Sequence, residues 1–193
     1  MKTRKSTLLL AIFIIAGFIA CKKEENLPVI VPVINTTQTL SVNFSTSSKF
    51  AFFSFKDSAV IANTDSATNK WDFGLRFTTF IVNSYASGPG NAGVIVQDGI
   101  FSGISSAPAT GFAYDSSSSK LAIKDGSWYN YVPSTRSFAP KAGKVFIFKT
   151  ANGLNYVKME LLSVDYVPFT GQVPVTLLYK FQYTYQPNGT TTF

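Results

Sequence analysis

The chain has 193 residues, of which 46% are hydrophobic, 15% aromatic and only 14% charged. That composition excludes a disordered polypeptide and leaves ample apolar surface for a core. With no histidine and a single cysteine, Cys21, the chain has no imidazole base, Ser-His-Asp triad, histidine-bound metal, internal disulfide or thiolate cluster.

The first element is an address. Lys2, Arg4 and Lys5 precede an apolar run of 13 residues from Leu8 to Ala20. That run is too short for the ~20 residues that cross a bilayer and matches the apolar region of a signal peptide, residues 1–20. Phe18-Ile19-Ala20 directly before Cys21 resembles the lipobox of bacterial lipoproteins, in which the leader is cut before Cys and the Cys is lipidated. The alternative is a plain secretory signal with an incidental Cys. Two or three acyl chains on Cys21 would anchor the protein permanently, where one myristoyl chain binds only marginally. Removing three of the 17 basic residues with the leader leaves 14 against 10 acidic, a net charge of +4 rather than +7. Nucleic acid is therefore not an expected partner.

Lys22-Lys23-Glu24-Glu25 resembles the signal that exports some lipoproteins to the outside of the outer membrane. An ordinary solvated tether is the alternative. The expected location is the outer membrane, through the lipid anchor and at the cell surface, with the periplasmic face as the other possibility. Residues 21–39, with Pro28 and Pro32, read as lipidated Cys and stiff tether, and residues 40–193 as one antiparallel all-β domain.

Strand signals follow one another through that domain. Leu40, Val42 and Phe44 alternate with Ser41 and Asn43, whereas Phe50 to Phe55 is too apolar for alternation and should be buried on both faces. Trp71, Phe73, Leu75 and Phe77 alternate with Asp72, Gly74, Arg76 and Thr78. Val145–Phe148 and Leu154–Val164 flank Ala151-Asn152-Gly153, and Asn-Gly is a strong hairpin signal. In the last strand Val175, Leu177, Tyr179, Phe181, Tyr183 and Tyr185 share one face. Loops rich in small residues (87–93, 102–111, 115–120) lie between strands, where binding normally resides.

Several segments, in order, resemble the HmuY family of haem-binding surface lipoproteins. They are Phe52-Phe53-Ser54-Phe55, Lys70-Trp71-Asp72-Phe73-Gly74-Leu75-Arg76-Phe77 and the Gly-rich loop from Ser87. Further on come Gly126-Ser127-Trp128-Tyr129-Asn130-Tyr131, Lys149-Thr150-Ala151-Asn152-Gly153, Tyr156-Val157-Lys158-Met159 and Phe181-Gln182-Tyr183-Thr184-Tyr185-Gln186. The resemblance implies an all-β fold, capture of haem or a related tetrapyrrole for iron acquisition, and delivery to a TonB-dependent outer-membrane receptor. It also implies two axial side chains, usually His or Met. This chain departs there: it lacks His, and the domain has one Met, Met159. The usual ligand pair cannot be built, so ligation would be non-standard. The rival function is an HmuY-like module that has lost haem and recognises a glycan, peptide or partner protein.

Met159 shares an alternating face with Val157 and Leu161 and reads as a core residue. Tyr also ligates haem in some proteins, which makes Tyr114, Tyr129 and Tyr131 candidates beside the alternative that they pack the sheet. Trp128 with Tyr129 and Tyr131, near Lys124 and Arg136, reads either as a platform for a planar ligand or a sugar ring, or as a short strand. Asp57-Ser58-Ala59 and Asp65-Ser66-Ala67 resemble a bacterial O-glycosylation motif, making Ser58 and Ser66 candidate sites. The eight acidic residues beyond the tether are scattered, with Asp72 expected to pair with Arg76, and no nucleophile, phosphate-binding or metal motif is present. The domain is expected to bind rather than react.

Overall fold

The computed structural model describes residues 33–43, 49–167 and 176–193. The leader, Cys21, most of the tether, Phe44 and Val175 lie outside the described residues. The fold is all-β, in antiparallel sheets. Among the described residues eleven strands run in chain order: β1 (Ile34–Asn43), β2 (Ala51–Ser54), β3 (Ala59–Ile61), β4 (Phe73–Arg76), β5 (Thr79–Val82), β6 (Gly93–Asp98), β7 (Tyr129–Val132), β8 (Ser137–Pro140), β9 (Lys144–Lys149), β10 (Tyr156–Val167) and β11 (Thr176–Gln186). They form a five-stranded sheet ordered β1-β11-β10-β9-β6, a four-stranded sheet ordered β3-β2-β4-β5, and a β7-β8 ribbon.

Period-two patterning makes the two larger sheets face each other. Leu177, Tyr179, Phe181, Tyr183 and Tyr185 of β11 all point into the core, as do Phe146, Phe148, Val157 and Met159 on the neighbouring strands. Phe53, Phe55, Phe73 and Phe80 answer them from the smaller sheet. Phe53 meets Phe181 edge-on at 5.1 Å, and Phe80 lies 5.3 Å from Phe146. Each such ring contributes ~1.5–3 kcal/mol by leaving water. Phe52 points the other way, into a second cluster with Trp71 and Ile81, so the apolar run 50–55 is indeed buried on both faces.

Three expectations are corrected. First, β1 begins at Ile34 rather than at residue 40, because residues 34–39 pair with residues 180–185 of β11. Asn35-Thr36-Thr37-Gln38-Thr39 carries no apolar alternation, and backbone hydrogen bonds make the strand. Second, the alternation 71–77 is not one strand. Asp72 turns inward, Trp71 falls on the opposite side from Phe73, and the strand stops at Arg76 because Phe77 adopts φ 55 in the turn to β5. Third, the Asn152-Gly153 hairpin joins β9 to β10, but the second strand begins at Tyr156, paired with Lys149, rather than at Leu154, so the loop spans residues 150–155. Gly153 sits at φ 73, and Asn155 Nδ2 donates to the carbonyls of Gln186 and Pro187. Tertiary anchoring, not the dipeptide, sets its length.

Part of the outer face of the large sheet is covered by residues 99–112. Lys158 pins that cover: Nζ donates to the Phe101 and Ile104 carbonyls at 3.2 and 2.7 Å and lies 4.8 Å from the Phe101 ring.

Candidate functional site

A groove of about 620 Å³ runs along the loop after β6, lined among others by Tyr114, Lys120, Leu121, Ile123, Lys124 and Asp125. A second groove of about 310 Å³ adjoins it through Ser118 and Leu121 and adds Phe50, Phe52, Arg76 and Ile81 from the outer face of the small sheet. Together they present an apolar floor edged by three cationic side chains and by Asp125, whose carboxylate is engaged by the Tyr129 hydroxyl. Both volumes fall in the range typical of small-molecule sites. The Arg76 guanidinium lies over the Phe50 ring at 4.6 Å, and both side chains line the second groove.

Two buried polar side chains shape these walls. Asp115 accepts from the backbone N–H of Val82 and of Ala122 at 2.8 and 2.7 Å, tying the 115–122 loop to the end of β5. Burial raises its pKa, and hydrogen bonds from Ala122, Ser87 and Val82 oppose the rise. Asn83 donates to the carbonyls of Thr68 and Trp71 and accepts from the Gly90 N–H at 2.9 Å. The Gly-rich loop from Ser87 packs on this amide. A Cβ at Gly88 would come within 2.7 Å of Trp71 and overlap the Asn83 side chain, so glycine serves close packing here. Sequence reading missed Asp115 and Asn83 because neither belongs to a local motif; their partners lie up to about thirty residues away in the chain.

The aromatic candidates do not converge. Trp128 is 1% exposed and stands in the core, edge-on to Phe80 and Phe138, its indole N–H donating to the Thr78 carbonyl at 3.2 Å. It is a pillar rather than a platform. The Tyr129 ring packs on Trp128 and Phe138, and its hydroxyl donates to Asp125 at 2.7 Å. Tyr131 is 55% exposed on the β7-β8 ribbon. Only Tyr114 lines the groove, and it meets Tyr85 edge-on at 5.7 Å. Tyr85, which the sequence did not single out, is 76% exposed at φ 41. Met159 is fully buried in the main core. Among the described residues no group of three His, Cys, Asp or Glu is placed to hold a metal ion.

Asp72, expected beside Arg76, accepts instead from two backbone amides: Phe55 at 2.8 Å and Ala151 at 2.7 Å. Ser58 shares a 2.5 Å hydrogen bond with the Tyr183 hydroxyl. Ser66 is half-buried, and its carbonyl accepts from the Trp71 indole at 2.9 Å.

Replacing Tyr129 with Phe removes one exposed hydrogen bond and leaves the ring contacts. The expected loss is under about 1 kcal/mol, read as a melting shift of a few degrees at most. A large loss would mean that the Asp125 contact holds the ribbon in place.

No protein-family model matches the chain, and no curated protein matches it.

Proposed function

We propose that this is an HmuY-type lipoprotein, anchored through Cys21 to the outer membrane, whose groove captures haem or a related tetrapyrrole for delivery to an outer-membrane receptor. The observation that carries the reading is the apolar floor of Phe50, Phe52, Ile81 and Leu121 edged by Arg76, Lys120 and Lys124. A tetrapyrrole is a flat apolar disc with two carboxylates on one edge. The floor suits the ring, and the cations suit the propionates. Recognition then rests on shape and charge, consistent with a groove that offers no histidine and leaves Met159 in the core.

The test is a titration of the purified protein with haem and with iron-free protoporphyrin, followed by absorbance. Saturable one-to-one binding of both is expected, about tenfold weaker in a Lys120→Gln/Lys124→Gln double variant, because exposed charge pairs contribute up to ~1 kcal/mol each. Two flat titrations would overturn the reading. Tyr114, in the wall of the groove, supports a second form of it, in which its hydroxyl oxygen would hold the haem iron. In that case haem binds, protoporphyrin does not, and Tyr114→Phe removes the haem spectrum.

A further inference from the structure

The core face of β11 carries three tyrosines in period two, and their hydroxyls meet different fates. Tyr179 donates to the Phe77 carbonyl at 2.5 Å, and Tyr183 to the Phe55 carbonyl at 3.1 Å. Each ties the large sheet to a turn of the small one. Tyr185 is only 4% exposed, and its phenol makes no hydrogen bond to any described residue. A buried hydroxyl without a partner is costly. No enclosed side-chain oxygen or nitrogen lacks a partner among the described residues, so this hydroxyl opens onto a space that a ligand or water can fill.

That space is a cleft of about 270 Å³ at the end of the sandwich where β2 turns into β3. Lys56 and Asp57 of that turn, Asn69 and Lys70 of the loop before Trp71, and Asn152 of the β9-β10 loop surround Tyr185, with Asp72 at the floor. Lys70 is paired with Asp65 at 2.9 Å and both Asp72 oxygens accept backbone N–H groups, which leaves Lys56 beside Asp57, one charge of each sign, so the lining selects neither an anion nor a cation. It offers donors (Lys56, Tyr185, the Asn69 amide) and acceptors (Asp57, the Asn69 amide oxygen) side by side. A ligand whose every polar group both donates and accepts matches such a lining, and that is the chemistry of a polyol. The volume lies just below the usual range for drug-sized ligands and fits a single ring.

We propose that this cleft binds one pyranose ring of a neutral sugar, with the Tyr185 hydroxyl as its innermost contact. The cleft shares no lining residue with the tetrapyrrole groove, so the two proposals stand or fall separately.

The experiment is saturation-transfer NMR on the purified protein with glucose, galactose, mannose and N-acetylglucosamine. Glucuronate, inorganic phosphate and glycerol serve as competing chemistries. At least one neutral pyranose should bind saturably in the millimolar range. Tyr185→Phe should weaken it about five- to tenfold, the size of one lost hydrogen bond, while melting at or above wild type because the lost hydroxyl has no hydrogen-bond partner among the described residues. Lys56→Gln, an exposed change outside the core, should weaken the same sugar several-fold. A methyl glycoside that binds as well as the free sugar places the site at the end of a glycan; one that fails makes the ligand a free monosaccharide. The proposal is overturned if no pyranose saturates. It is also overturned if phosphate, glucuronate or glycerol binds as tightly as the best pyranose, or if both variants bind like wild type.

Discussion

Truncating Trp128 to alanine will cost about 3–5 kcal/mol of folding stability, the usual loss for removing a fully buried large aromatic, and will not act as a selective loss of ligand. The indole fills the space between β5 and β8, edge-on to Phe80 and Phe138, and its N–H holds the Thr78 carbonyl in the turn that begins at Phe77. Phe77 itself is in the left-handed region, kept there by contacts its carbonyl and ring make with Tyr179 and Phe138. Removing the pillar leaves a cavity and an unmet carbonyl together. Denaturant midpoints check the size. Trp128→Phe should recover part of the packing but not the hydrogen bond, falling between wild type and alanine. If Trp128→Ala melts like wild type yet loses a planar ligand, the residue is a platform after all.

Asp72→Asn will destabilise the fold, and its penalty will shrink as pH rises. Both carboxyl oxygens accept backbone N–H groups, from Phe55 and Ala151. An amide satisfies one and turns its own NH₂ against the other, costing about 1–3 kcal/mol. Burial, aided by the negative charge of Asp57, outweighs those two hydrogen bonds and lifts the carboxyl from 3.8 to about 6. A raised folded pKa means that between pH 4 and 6 the native state holds a proton the unfolded chain has released. The wild type is therefore favoured by this group at low pH and loses that favour as pH passes through about 6. The shift corresponds to at most about 3 kcal/mol, and Asn cannot titrate. Urea unfolding of both proteins at pH 4 and pH 7 should show the gap narrowing toward neutrality. A gap independent of pH would mean that the carboxyl titrates normally.

The aspartate also marks where local reading stops. Trp71-Asp72-Phe73 looks like three positions of one strand. Asp72 is placed instead by amides at Phe55 and Ala151, 17 and 79 residues away in the chain. Asp115, Asn83 and Asn155 are likewise positioned by remote backbone groups, and a buried polar side chain leaves no periodic trace. Tyr185 carries the same lesson. Its alternation with Tyr183 and Phe181 places it in the core, yet which of three similar phenols meets a carbonyl among the described residues depends on which turn of the facing sheet lies opposite.

Some features were legible from the residues alone. Absence of histidine excludes whole chemistries wherever the chain folds, because it is a matter of inventory. The all-β class, the double burial of residues 50–55 and the core face of β11 follow from period-two patterning, since a strand must hide one side. Contacts between distant segments settled the rest: Trp128 as a pillar, β1 beginning at Ile34, the break at Asp72, and the separation of the Tyr185 cleft from the groove beside Tyr114. Side-chain direction is local, but whether a group meets solvent, a core or another backbone is fixed only when distant segments pack.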